Sequence, residues 1–421
     1  MAALTISSFR SIPIVLVGVA VPVLVVGRSM LAVALGLGVI GLMMAERRGE
    51  VWRDLASAAR SPLGLMVLAA VALWLPSMAA SPMPGRSFET WARVPVFLAA
   101  TGLIWAALAR GREGLDLALK TLVAASAAAV IPAAVALTGL PELISLLHAR
   151  GWAGANPVLE LKAFGAAALL LLPAVLLAGR RLGGRWLMTA LASGAGLLAV
   201  ILMTHNRSAL AGLLAMILTG GLLIVLIHRR PNVVAAVGAA LVLLVTGLMV
   251  WLHDTRGYLR PPEGVVIVLP IWLVDFQRQE IWRFALDMGR DAPWFGRGIN
   301  VINFLPGADN PMPGGGLTMI PGHPHNWLIE VFVETGLIGA LGLVLVVVAL
   351  AIRLGRDYLR RRDDAVCAAL MVHVGYWASG LFSFSFWSAW WQVSYLLLMA
   401  VALAGRAGGR APRPEGPGPP A

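Results

Sequence analysis

The chain has 421 residues, 59% of them hydrophobic and only 13% charged, and a formal net charge of +12; its mean hydropathy is +0.82. Soluble globular domains carry about a quarter charged residues, so this composition excludes a soluble fold and indicates an integral membrane protein. One cysteine, Cys367, excludes an internal disulfide and any Cys-rich metal site, and basic residues placed in short loops between apolar runs indicate membrane topology and anionic-lipid contact, not nucleic-acid binding.

Hydrocarbon about 30 Å thick needs roughly 20 apolar residues per helix. Twelve runs provide them in chain order: 11–27, 29–45, 62–80, 94–109, 115–139, 163–178, 187–203, 209–227, 233–252, 327–352, 366–384 and 391–405. The expected fold is therefore an all-α, polytopic membrane protein with about twelve transmembrane helices, one transmembrane domain over 1–421. The first run leads into the second without a convincing small-residue cleavage site, so no cleaved signal peptide is expected. Arginines gather after every second run: Arg47, Arg48, Arg53 and Arg60; Arg110 and Arg112; Arg180, Arg181 and Arg185; Arg229 and Arg230; and Arg353, Arg356, Arg360, Arg361 and Arg362. Positive charge in short loops stays in the cytoplasm, so all five groups fall on the inner side if the N-terminus is cytoplasmic. The C-terminus then lies inside as well, and the Gly/Pro-rich tail, 406–421, is expected to be disordered.

The remaining loops face outward, and one, 253–325, is far longer than the others. Loops of such length are usually functional or disordered, and Trp272, Phe276, Trp282, Phe284, Trp294 and Phe295 make this one too aromatic for disorder. Within it, "FQRQEIWRFALDMGRDAPWFGRGINVINF" predicts a helix over about 277–289 followed by a Pro/Gly turn. Ile281, Ala285 and Met288 share one face of that helix, and Arg278 projects from its first turn. Trp282 is expected to pack rather than to serve as a sugar platform. The "GRG" at 296–298 could offer backbone N–H groups to a phosphate, a weak signal alone.

The long loop meets the next apolar run at "PGHPHNWLIEVFVETG", 321–336. Asn326 is placed as the N-cap of a helix continuing to Ile352, whose free N–H groups and positive end suit an anion at the outer surface. His325, just before the cap, titrates near neutrality and is a candidate general base, with His323 beside it; the plainer reading is of interfacial polar residues at a helix start. Glu334 lies one turn beyond Glu330, and a carboxylate at that depth is expected to face the protein interior and hold a cation such as an arginine. The outer turn "THNRS" carries Arg207 against the positive-inside trend, either as a substrate contact or as an anchor to lipid phosphate, with His205 close enough to support it. His148 and His253 are expected at the interface, His228 in a cytoplasmic loop, and His373 packed and hydrogen-bonded within a helix. No D-x-D, H-E-x-x-H, G-x-S-x-G or Walker pattern lies on the outer side. Arginines with a histidine suit metal-free stabilisation of a phosphate or diphosphate leaving group, because guanidinium binds phosphate oxygens bidentately.

Three stretches together, "HNRSAL" at 205–210, "RQEIWRFAL" with "PWFGRGINVINF" at 278–304, and "HPHNWLIEVFVETGLIG" at 323–339, resemble the signature regions of the O-antigen ligase and polymerase superfamily. The resemblance runs from about the seventh helix to the eleventh. It implies a GT-C-like, multi-pass glycosyltransferase of the bacterial inner membrane, without cofactor, acting at the periplasmic face with both termini cytoplasmic. The donor it implies is an undecaprenyl diphosphate-linked glycan, and in the ligase branch the acceptor is lipid A-core. His325 matches the histidine of the family's H-N motif, Arg278 the arginine upstream of the I-W pair, and Arg207 the arginine of the short outer turn; His323, Asn326, Glu334, Trp282 and His205 would support them. An acceptor hydroxyl would attack the anomeric carbon with inversion while His325 takes its proton and the arginines neutralise the departing diphosphate. A polymerase or protein oligosaccharyltransferase of the same superfamily shares this donor chemistry, and a lipid-linked glycan transporter shares the helix number but should show broken helices and midplane ionisable groups.

Overall fold

Each of the twelve apolar runs folds wholly or mostly as helix in the computed structural model, which describes residues 2–46, 48–148, 156–257, 260–262 and 265–407. Among the described residues there are sixteen α-helices. The first half contains α1 (Ala2–Val19), α2 (Arg28–Ala45), α3 (Arg48–Arg60), α4 (Pro62–Ala72), α5 (Pro84–Ala109), α6 (Arg112–Thr138), α7 (Glu142–Leu147) and α8 (Pro157–Glu160). The second contains α9 (Lys162–Leu182), α10 (Gly184–Met203), α11 (Arg207–His228), α12 (Pro231–Arg256), α13 (Phe276–Arg290), α14 (Trp327–Arg361), α15 (Asp364–Gly380) and α16 (Ala389–Ala407). Nine of the described spans are long and apolar enough to cross a membrane, so the protein is multi-pass; the other three runs correspond to α1, the 17-residue α15, and α16. Residues 408–421 of the expected disordered tail lie outside the described residues.

The bundle is organised around α9, where every residue from Phe164 to Leu171 is buried. Its glycine and alanines allow close helix approach: a Cβ on Gly165 would lie 2.8 Å from the Thr204 hydroxyl, and such small residues replace the hydrophobic driving force that lipid does not supply. At the other extreme, no residue in the apolar window of α12 is buried, and Leu243 is 73% exposed, as suits a helix facing hydrocarbon. One end of the bundle is closed by ion pairs, Arg110 to Glu46 (3.2 Å) and Asp54 (2.5 Å), Arg180 to Asp364 (3.1 Å) and Arg406 to Asp357 (2.9 Å). The turn holding Arg207 lies at the opposite end.

The segment between α12 and α14 has a core of its own. Ile281, Ala285 and Met288, the predicted inner face of α13, pack with Ile302, Leu305, Met312, Ile320 and Val333. Against expectation, α14 is not one continuous rod: Gly336, at φ +69° and ψ −178°, breaks it. A side chain there would collide with the Trp294 backbone 2.2 Å away. The amides of Leu337 and Ile338, deprived of helical acceptors, donate instead to the carbonyls of Pro293 (2.8 Å) and Trp294 (3.3 Å), so the loop after α13 fills the break and satisfies these two amides within the protein.

Glu334, just before the break, corrects an expectation. Among the described residues it pairs with no arginine: its carboxylate accepts the amides of Asn300 (2.8 Å), Val301 (2.8 Å) and Ile302 (2.9 Å) and the indole N–H of Trp387. Glu330 accepts the Ser385 hydroxyl (2.5 Å) and the Phe386 amide (2.6 Å). The two glutamates thus pin the 300–302 and 385–387 loops to the first half of α14. The "GRG" serves the same packing: a Cβ on Gly296 would meet Glu334 backbone at 2.4 Å, one on Gly298 would meet Ser81 at 2.5 Å, and Arg297 pairs with Asp291 at 2.7 Å. Gly296 and Gly298 are therefore accounted for by close backbone approach, not by a phosphate. His373 is buried between the Tyr395 hydroxyl (2.8 Å) and the Val347 carbonyl (3.0 Å), as expected.

Candidate active site

Two helices at the Arg207 end begin with the same device. In His205-Asn206 and His325-Asn326 the histidine takes a left-handed conformation, φ 45° and 56°, and the asparagine side chain caps the helix that follows. Asn326 Oδ1 accepts the amides of Leu328 (3.0 Å) and Ile329 (3.3 Å), and Asn206 Oδ1 accepts that of Ala209 (3.3 Å). Positive φ turns the chain sharply before each cap, a conformation that costs a non-glycine residue of order 1–3 kcal/mol and is found where function constrains the backbone. Asn206 also donates to the Lys162 carbonyl at 3.1 Å, joining the start of α9 to the start of α11.

A cavity of about 170 Å³ opens between these helix starts. His325, Arg207, Arg278 and His205, far apart in sequence, all line it, together with Lys162, Ser383 and Phe384. Arg278 reaches it from the first turn of α13, whose N-cap is Asp275. Asp275 is the organising anion: it lies 2.9 Å from Arg207, 3.7 Å from Arg278 and 3.9 Å from Arg256. Burial is the largest influence on this carboxyl and raises its pKa, but the Arg278 amide and the charges of Arg278 and Arg207 together outweigh it and hold it below its ordinary value. Several cations thus surround one carboxylate, and the cavity keeps a positive excess suited to an anion. Arg278 feels that excess, since burial first and then Arg207 and Arg256 lower its pKa to about 10 against the pull of Asp275.

His325 Nδ1 is 3.2 Å from the Ser383 carbonyl. A carbonyl can only accept, so Nδ1 carries the hydrogen and Nε2 keeps its lone pair. Burial above all, then His323 and Arg278, lower the His325 pKa to about 3, so the ring is neutral and able to accept a proton at pH 7. The His323 ring is 4.2 Å away, its pKa lowered to about 4 chiefly by burial; it stands behind His325 and does not line the cavity. Trp282 packs as expected and donates its indole N–H to the Pro324 carbonyl at 2.8 Å, fixing the peptide between the two histidines. His205 lines the cavity without a hydrogen bond to Arg207 among the described residues.

Sequence reasoning missed Asp275 and Lys162. Both left a signal. Asp275 is an N-cap residue three positions before Arg278, and Lys162 is a lone cation at the outer end of an apolar run, the same departure from the positive-inside trend that singled out Arg207.

Residues 192–344 match the family model described as O-antigen ligase, a segment that contains Arg207, Arg278, His323 and His325. Proteins named "Putative polysaccharide ligase" are similar over a shorter region: those of Rickettsia typhi and Rickettsia prowazekii are each 26% identical over 129 residues, 29% of this chain and 30% of the relative. One from Rickettsia bellii is 25% identical over 127 residues, 28% of this chain and 29% of that protein. The match therefore spans about a third of the length of these relatives, and over its matched segment the chain is O-antigen ligase-like.

Proposed function

We propose that the protein is an inverting glycosyltransferase that takes a glycan from undecaprenyl diphosphate and joins it to lipid A-core at the periplasmic face of the bacterial inner membrane. The observation that carries this reading is the convergence of Arg207, Arg278 and a neutral His325 on one small cavity with a positive excess. The similarity to the O-antigen ligase family supports the same reaction class.

An acceptor hydroxyl attacks the anomeric carbon as the bond from that carbon to the diphosphate oxygen breaks, so one displacement inverts the configuration. His325 Nε2 takes the hydroxyl proton. Arg207 and Arg278 bind the diphosphate oxygens and stabilise the negative charge that grows on them, an effect strengthened where protein excludes water. A histidine with a pKa near 3 is a poor base; burial is the main cause of that value, and His323, Arg278 and Lys162 add to it. A bound diphosphate offsets the charges of Arg278 and Lys162 and raises the affinity of His325 for a proton at the moment it is needed. The roles of Arg207, Arg278 and His325 require no metal.

Two features favour a transporter: the break in α14 and the ionisable groups Glu330, Glu334 and His373 buried within α14 and α15, since transporter substrates bind at interrupted helices beside such groups. The break is filled here by residues 293–298, Glu334, Glu330 and His373 are hydrogen-bonded within the protein, and Asp116 lies 3.7 Å from Arg181 at the ion-paired end. The deciding experiment is glycan transfer by purified His325→Ala. Loss of general-base assistance lowers the rate by about 10²–10⁴-fold with normal membrane abundance, whereas near-normal transfer would remove His325 from the mechanism.

A further inference from the structure

At the ion-paired end of the bundle, opposite the candidate active site, a cavity of about 840 Å³ opens between α5, α14 and α16. On each helix the lining residues nearer the midplane are apolar and those toward the helix end are polar or amphipathic: Leu98 before Trp105 on α5, Leu350 before Arg361 on α14, and Met399 before Arg406 on α16. Leu98 and Leu350 also wall the apolar space beside His373, which fixes the deep end of the cavity. From Leu350 to Arg361 a helix rises roughly 16 Å, about half of a hydrocarbon layer roughly 30 Å thick, so the cavity spans one leaflet. Three arginines line it against two aspartates, and both aspartates are engaged within the protein. Asp357 pairs with Arg406 at 2.9 Å, and Asp363 accepts the Ala365 amide at 2.8 Å as the cap of α15. Arg353 and Arg361 form no ion pair among the described residues.

We propose that this cavity binds one anionic phospholipid of the leaflet at that end, with its phosphate on Arg353 and Arg361 and an acyl chain running past Trp105 and Leu354 toward Leu98 and Leu350. In the orientation given under the proposed function this is the cytoplasmic leaflet, and the site stands apart from the transfer reaction. Unpaired basic groups between helices at a membrane surface attract anionic headgroups, and a guanidinium takes phosphate oxygens in pairs. A soluble anion would leave the apolar depth of the cavity unfilled. A zwitterionic lipid suits the mouth less well, because its own ammonium offsets the phosphate charge that Arg353 and Arg361 lack. Lying against α5, α14 and α16 together, the lipid binds the folded bundle only and stabilises it by mass action.

The test uses the full chain purified in neutral detergent, with phosphatidylglycerol and phosphatidylethanolamine of the same acyl chains as probes. Native mass spectrometry should show one phosphatidylglycerol retained per chain, roughly tenfold or more tighter than phosphatidylethanolamine, and phosphatidylglycerol alone should raise the thermal midpoint. Glycerol phosphate in solution should not compete, since it lacks the chain that fills the apolar depth. Arg353→Gln with Arg361→Gln should abolish the preference, whereas Arg229→Gln with Arg230→Gln, which removes as much charge beyond the end of α11, should leave it intact. Phosphatidylglycerol with a photoreactive acyl chain should label peptides within 98–105, 350–361 or 399–406, a readout on the wild type that stands even if the double variant fails to fold. Equal retention of the two lipids, competition by glycerol phosphate, equal loss in the Arg229 and Arg230 control, or labelling elsewhere would each overturn the proposal.

Discussion

Replacing Arg278 with lysine keeps a positive charge in the cavity but alters two things that the structure makes calculable. The first is geometry. A lysine ammonium is a point charge and cannot make the paired contact of a guanidinium with two phosphate oxygens, and losing one charge-assisted contact costs about 1.5–3 kcal/mol, or roughly ten- to a hundredfold in rate. The second is protonation. The environment that lowers the Arg278 pKa to about 10, burial first and then Arg207 and Arg256, would also lower that of a lysine, whose ordinary value is about 10.4. The variant should therefore be slow at pH 7 and lose its remaining activity as the pH rises into the alkaline range, earlier than an ordinary lysine would, a limb absent from the wild type, whose arginine stays charged. The assay is the initial rate of glycan transfer between pH 6.5 and 9 at equal membrane abundance, with Arg229→Lys, remote from the cavity, as the control. A wild-type rate and a pH profile of wild-type shape in Arg278→Lys would refute both the bidentate contact and the electrostatic account of the cavity.

The other predictions are shorter. Transfer by purified protein should persist undiminished in excess EDTA; a reversible requirement for Mg²⁺ or Mn²⁺ would show that arginines alone do not stabilise the diphosphate. Glu334→Ala strands four buried donors, each costing about 1–3 kcal/mol, so folded protein in the membrane should fall sharply while activity per folded molecule changes little; the reverse pattern would give Glu334 a chemical role. His323 and His325 have folded pKa values of about 4 and about 3, below the ordinary value near 6.5, so the unfolded chain binds protons that the folded one refuses. Stability should be insensitive to these groups above pH 7 and decline as the pH falls from about 6.5 toward 4, and His323→Asn should flatten that decline in the thermal midpoint; an unchanged slope would mean that the ring is not buried as described.

What was legible in the sequence was whatever depends on short range. Asn326 as a cap, the face formed by Ile281, Ala285 and Met288, and the helical character of the apolar runs follow from local spacing, and each is present. Arg207 and His325 were legible because each stood out at the edge of an apolar run, and Arg278 because it begins a helix inside the long loop, in a stretch that resembles the family's signature. Glu334 shows the limit. Burial of a carboxylate dictates that it be satisfied, but its partner can be a cation or a set of amides, and only the fold chooses. Here the choice depended on Gly336, whose positive φ opens α14 so that residues 293–302 can approach Glu334; in the sequence it is one glycine in an apolar run, and its neighbours give no sign that a loop some forty residues earlier will enter beside it. The same long-range step assembles the cavity. Arg207 and Arg278 lie on different helices, and what brings them together is Asp275, which caps one helix while pairing with the arginine that begins the other. One carboxylate thus performs a local task that sequence spacing reveals and a distant one that it does not. It follows that Asp275, absent from any reading based on catalytic residue types, sets the distance between the two cations that the proposed chemistry requires.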